Sequence, residues 1–155
     1  MHAVTSMDKE QGEAVREAYR VALGLLVRRE HSRYELERKL IKREHCLAVI
    51  GDALDRLTAE DALSEDRFTD AYVRMRKARG YGPLRIQVEL RERGINDGLI
   101  AHYLAVYGDD WDQSVERVYH KRFTKQAEDA KERARQQRFL QYRGFTHEQI
   151  QRVLR

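Results

Sequence analysis

The sequence predicts an all-α protein, built as an elongated, solenoid-like array of three tandem three-helix repeats. Three observations carry that prediction. One proline and nine glycines in 155 residues leave little room for the turns that hairpins and sandwiches require. Apolar residues recur at helical spacing, as in Val15, Ala18, Tyr19, Ala22, Leu25 and Leu26. One helix–turn–helix corner, finally, occurs three times, which is how a helical array announces itself in sequence.

The clearest corner runs from Arg79 to Leu90. Gly80 closes one helix by taking φ > 0 at little cost. Pro83 then fits the first turn of the next helix, where its missing N–H had no partner to lose. Tyr81 and Ile86 stand where a hydrophobic staple fixes the angle between the helices. Upstream, His31-Ser32 and Leu36 occupy the same frame, with Leu40 in the place of Leu90. Downstream, Gly144-Phe145-Thr146 and Ile150 do so again, with Leu154 in that place. Ser32 with Glu35, and Thr146 with Gln149, read as capping boxes; Gly82-Pro83 is a third solution to the same problem.

In chain order, residues 1–7 read as frayed and a first helix spans about 8–29. A second runs from Arg33 to about Arg43, and a third, marked by Leu47, Val49, Ile50, Leu54 and Leu57, ends near Thr58. An acidic connection follows, in which Ser64 caps the next helix and Leu63 and Phe68 form its staple. Helices are expected at about 65–79, 83–93 and 96–107, with Gly94 ending the middle one and Asn96 capping the last. After the acidic turn Gly108-Asp109-Asp110, a helix runs from Trp111 to Phe123. Thr124 is the break before a long polar helix to Arg143, and a terminal helix reaches Arg155. The repeats are accordingly placed at 8–63, 64–110 and 111–155, the last stopping one helix short of the pattern.

Charged residues make up 36% of the chain and apolar ones 41%, with a mean hydropathy of −0.79. That polarity suits an array in which each helix keeps a large wet face. A net charge of +4 and a pI near 9.3 point weakly to an anionic partner. The lone Cys46 excludes an internal disulfide and fits a reducing compartment. No apolar run approaches membrane length, and no signal-peptide hydrophobic region is seen. A cytoplasmic protein that does not engage membranes is expected.

The chain lacks a nucleophile elbow, a phosphate-binding glycine loop and zinc-ligand spacing. Its six histidines are scattered, and its carboxylates sit mostly in caps, turns or positions facing Lys and Arg along a helix. Neither catalysis, nor a metal, nor a cofactor is indicated. The basic residues say more. Arg74, Arg76, Lys77, Arg79, Arg85, Arg91 and Arg93 crowd the first two helices of the second repeat. Arg117, Lys121, Arg122, Lys125, Lys131, Arg133, Arg135, Arg138 and Arg143 form a second cluster. Crowding of one sign costs repulsion unless a partner relieves it, and arginine suits bidentate contact with carboxylate or phosphate. Staple geometry favours packing over base stacking for Tyr81 and Phe145, and Trp111 reads as core.

Four blocks, in this order, carry a resemblance: R-R-E-H-S-R-Y-E-L-E-R-K-L at 28–40, L-S-E-D-R-F at 63–68, R-G-Y-G-P-L-R-I at 79–86 and F-L-Q-Y-R-G-F-T at 139–146. The chain resembles the RecX family, regulators of the bacterial RecA recombinase. It departs at Asp61-Ala62-Leu63, where family members often place a glycine. A monomer is expected, and the resemblance implies a non-catalytic protein that binds RecA–single-stranded-DNA filaments in their groove. It would suppress filament extension, ATP hydrolysis, strand exchange and co-protease activity, and so modulate recombination and the SOS response. On this reading Arg74, Arg76, Lys77, Arg79, Arg85, Lys121, Arg122, Lys131, Arg135, Arg138 and Arg143 form the basic face toward the filament or its DNA. Ser32, Gly80, Tyr81, Gly82, Pro83, Gly144, Phe145 and Thr146 build the corners. Two rivals are a basic helical protein that binds single-stranded DNA directly and limits RecA loading by competition, and a helical adaptor for another protein.

Overall fold

Nine α-helices account for most of the computed structural model, which describes residues 2–154. They are α1 (His2–Arg28), α2 (Arg33–Lys42), α3 (Leu47–Ala59), α4 (Glu65–Ala78), α5 (Pro83–Glu92), α6 (Asp97–Val106), α7 (Trp111–Arg122), α8 (Ala130–Arg143) and α9 (His147–Val153). A single 3-10 turn, Gly108–Asp110, precedes α7. No strand occurs among the described residues.

Four side-chain caps are those the sequence specifies. Ser32 Oγ accepts from the Glu35 amide while the Glu35 carboxylate accepts from the Ser32 amide, both at 3.1 Å. Thr146 and Gln149 reproduce the box at 3.2 and 2.9 Å. Asn96 Oδ1 accepts from the Leu99 amide at 2.8 Å, and Ser64 Oγ from the Arg67 amide at 3.2 Å. Gly82 has no side chain to offer α5, and backbone takes over. The Gly82 amide donates to the Arg143 carbonyl at 2.8 Å and the Leu84 amide to the Gly144 carbonyl at 2.9 Å. The second corner is thus capped by the third.

The chain divides within α4 into two compact units, 1–68 and 69–155. In the first, α1 packs along α3 and α2. Its core is Ala22, Leu36, Leu40, Ile50, Leu54, Leu57 and Leu63, with Ala18, Val49 and Ala53 as a smaller cluster. The helical stripe read from α1 is the face that packs there. His31, in the staple position, is 1% exposed. Its Nδ1–H donates to the Arg29 carbonyl at 3.0 Å and its Nε2 accepts from Lys39 Nζ at 2.8 Å. In the second unit Val73, Ile86, Leu90, Ile100, Val115, Leu140 and Ile150 are fully buried, as nearly are Phe145 and Trp111.

The structure corrects the sequence reading at three places. Helix α1 begins at His2, not near Asp8: residues 3–11 are exposed on all sides, so no apolar periodicity marks them, yet helix-compatible side chains let the ladder extend. The polar helix to Arg143 starts at Ala130, not after Thr124. Phe123 is pulled into the core at φ −120°, ψ 123°, and Asp129 supplies the new N-cap by accepting from the Glu132 amide at 2.7 Å. The last helix ends at Val153; Arg155 lies outside the described residues, as does Met1. In the last three helices the corner falls between the second and third members rather than the first and second.

A candidate anion-binding face on the second unit

The net positive charge belongs to one unit. Residues 1–68 carry 12 Lys and Arg against 14 Asp and Glu, a net of −2, while residues 69–155 carry 18 against 12, a net of +6.

The cations on the second unit are not equivalent. Arg76 is largely enclosed, with its side chain 16% exposed, and its guanidinium grips the Glu89 carboxylate at 2.6 and 3.1 Å. Burial alone would lower its pKa, but the Glu89 hydrogen bonds outweigh it and the net shift is upward. Glu89 also accepts from the Tyr72 hydroxyl at 3.1 Å, and burial pushes that hydroxyl up to about 12. Arg76 is therefore a member of a polar network holding α4 to α5, and the expected outward role does not suit it. Lys77 is similarly engaged: Nζ donates to the Tyr107 carbonyl at 2.9 Å, lies 3.7 Å from Asp110 and sits 4.7 Å from the Trp111 ring. Burial lowers its pKa, with Asp110 opposing the shift. Arg74 pairs with Asp70 at 3.4 Å, Arg135 with Glu132 at 2.7 Å, and Arg85 lies 3.6 Å from Glu89.

Arg79, Lys121, Lys131 and Arg138 are exposed and make no side-chain hydrogen bond or ion pair among the described residues. Arg122 meets only rings, 5.6 Å from Phe123 and 5.7 Å from Phe139. The end of α4, α7 and α8 bring several of these groups together around a cavity of about 530 Å³, lined by Lys77, Arg79, Arg117, Lys121, Arg122 and Arg143 with Gly80, Ser114, Val118 and Phe139. No carboxylate lines it. Helical spacing builds this wall: Arg117 and Lys121, Val118 and Arg122, and Phe139 and Arg143 are each four residues apart, so each pair shares a face. Arg143 is set by its bond to the Arg79 carbonyl at 3.3 Å.

Sequence reasoning missed the aromatic half of this face. Arg135, Phe123, Arg122, Phe139, Arg143, Tyr81, Arg85 and Tyr142 follow one another as an alternating series of guanidinium and ring, each cation 4.5–5.7 Å from the next centroid. Tyr81 alone has Arg76 at 3.8 Å, Arg85 at 4.5 Å and Arg143 at 4.9 Å. Its staple position gave no hint of this, since the arginines come from three helices. Phe145 and Trp111 are buried, as read. Among the described residues no three His, Cys, Asp or Glu side chains are grouped to hold a metal ion, and no helix is long and apolar enough to cross a membrane.

Three family models match the chain in order: the first three-helix domain of RecX at residues 18–57, the second at 64–104 and the third at 110–154. The regulatory protein RecX of Pseudomonas fluorescens is 45% identical over 136 residues, covering 87% of this chain and 88% of that one. That of Ectopseudomonas mendocina is 44% identical over 137 residues, covering 88% and 91%. Among solved structures, RecX from Lactobacillus salivarius superposes with a TM-score of 0.80 at 21% identity, covering 92% of this chain and 96% of that one. Another regulatory protein RecX gives 0.84 at 18% identity, covering 97% and 76%. With three domains matched in sequence order and relatives of similar length aligned nearly end to end, the chain belongs to the RecX family of regulatory proteins.

Proposed function

We propose that this protein is a non-catalytic cytoplasmic regulator that binds RecA–single-stranded-DNA filaments through the basic face of residues 69–155. Seated in the filament groove, it inhibits extension, and with it ATP hydrolysis, strand exchange and co-protease activity, so tuning recombination and the SOS response. The observation that supports this reading is the carboxylate-free cluster of cations around Arg79, Arg117, Lys121 and Arg122, which leaves positive charge unrelieved for an acidic surface or a phosphate backbone. No chemistry of its own is required. A protein that binds one state of an assembly shifts its growth and loss by occupancy.

The test is RecA's DNA-stimulated ATP hydrolysis, with the protein titrated onto preformed filaments at saturating DNA. A fall at strongly substoichiometric amounts is expected. The triple variant Arg79→Glu, Lys121→Glu and Arg138→Glu should lose it while retaining its helical circular dichroism; intact inhibition would overturn the assignment. A second reading, direct binding of single-stranded DNA in competition with RecA, is favoured by the alternating guanidinium–aromatic series, because rings and guanidinium planes both stack on bases. That mode requires coverage of the strand, so it acts near stoichiometry rather than below it.

A further inference from the structure

We propose that the cavity between the end of α4, α7 and α8 is a binding site for a free nucleoside polyphosphate. The argument begins with charge. Of the cations around it, Arg79 and Lys121 have no side-chain partner, Arg117 reaches only Ser114 Oγ at 3.5 Å, and Arg122 meets only aromatic rings. These are four charges of one sign, from the end of α4 and from α7, lining one cavity with no carboxylate among the lining residues. A phosphodiester brings one negative charge per nucleotide and would spread its charge along the strand. A di- or triphosphate concentrates three to four charges at one point, which is what these cations are able to neutralise. The α4 carbonyl end, which would repel phosphate, is already covered, since Arg143 donates to the Arg79 carbonyl at 3.3 Å.

Size and surface supply the rest. A volume of about 530 Å³ lies in the range of cavities that hold a whole small molecule, far more than a bare anion fills. One wall is the half-buried ring of Phe139, flanked by Arg122 at 5.7 Å and Arg143 at 5.5 Å. A planar base can lie against that ring or against either guanidinium plane, while the phosphates reach Arg117, Lys121 and Arg79. This goes beyond the filament reading and does not depend on it.

Isothermal titration calorimetry of the full chain in low salt, without RecA, tests it with ATP, AMP, pyrophosphate and oligothymidylate. ATP is expected to bind saturably at one site, with AMP and pyrophosphate each weaker by about tenfold or more, one for lost charge and the other for the lost base. Lys121→Glu and Arg117→Glu, both at exposed positions of α7, should each weaken ATP by about tenfold or more, whereas Arg16→Glu on α1 should not. Circular dichroism of each variant confirms the fold. Absence of ATP binding overturns the proposal. So does pyrophosphate binding equal to ATP, which removes the base from the site, and so does insensitivity to both α7 reversals. Tighter binding of oligothymidylate that expels ATP also overturns it, by making the cavity part of a strand contact. Because no filament is present, any of these failures leaves the ATP-hydrolysis experiment above free to succeed.

Discussion

Glu44 and Gly94 occupy matching places after α2 and α5, and both are left-handed, at φ 67° and 76°. Glycine adopts that conformation freely, whereas a residue with a Cβ is strained by about 1–2 kcal/mol. Glu44→Gly should therefore raise stability by about 0.5–1 kcal/mol in urea denaturation, and Gly94→Ala should lower it by about 1–2 kcal/mol. Asp61, at φ 59°, takes the left-handed conformation as well, and Asp tolerates it better than most residues with a Cβ. His31 makes a pH-dependent contribution. Burial holds its pKa below the ordinary histidine value, with Arg29 and Lys39 adding to that shift and the Arg29 carbonyl and Glu35 opposing it. The unfolded chain therefore takes up the proton first. The His31 contribution is complete above about pH 6.5 and is lost as the pH falls through that value toward the depressed folded one. Stability measured from pH 7.5 down to 5 should show this decline, and His31→Leu, which removes the titrating group, should flatten it.

At the scale of elements, the junction of the second and third corners decides most. A Cβ on Gly82 would lie 2.4 Å from the carbonyl carbon and oxygen of Gly144, and one on Gly144, at φ 97°, would lie 2.3 Å from the Cβ of Arg85. Backbone cannot retreat as a flexible side-chain tip does. Gly82→Ala should cost about 1–3 kcal/mol and Gly144→Ala about 2–4 kcal/mol, the second carrying backbone strain as well as overlap. Gly51→Ala, in the interior of α3 with open space around it, should instead stabilise by about 0.5–1 kcal/mol. Thermal or urea unfolding of the three variants separates these signs. The corners were legible in the sequence because their caps are local chemistry: Ser32 with Glu35 and Thr146 with Gln149 lie three residues apart and declare themselves. That Gly82 borrows its cap from Arg143 and Gly144 was not legible, since the partner lies some sixty residues away and contributes backbone, which has no letter. The same limit hid the fate of Arg76. Its charge was visible, whereas its burial against Glu89 depends on how α4 meets α5. Likewise Phe123, a single aromatic amid polar residues, gave no sign that packing it would undo the helix for seven residues.

For the molecule as a whole, the distribution of charge matters more than its sum. A net of +4 is modest, yet it resolves into −2 on residues 1–68 and +6 on residues 69–155, so any attraction for anions is concentrated on one unit. Within that unit the cations divide by task. Arg76 lies in a pair whose side chains are 16% and 13% exposed, and removing one partner strands the other. Arg76→Ala should thus lower stability by about 2–4 kcal/mol, and its effect on inhibition should follow the unfolded fraction. Arg79, Arg117, Lys121 and Arg122 are free or nearly so, and their removal should leave the unfolding midpoint within the error of ordinary surface substitutions. Under the proposed function, what they should change is the salt dependence of filament inhibition. If these four make contacts to phosphate or carboxylate, the inhibitory midpoint rises steeply as salt is raised from about 50 to about 200 mM, with a logarithmic slope on the order of three to four. Each single replacement by glutamine should then reduce that slope by about one, without abolishing inhibition. Measuring ATP hydrolysis over a salt series for each variant reads the slope directly. A slope near zero in the parent protein would place recognition on apolar surface instead, and the charge asymmetry between the two units would then serve to orient the encounter and not to hold the complex.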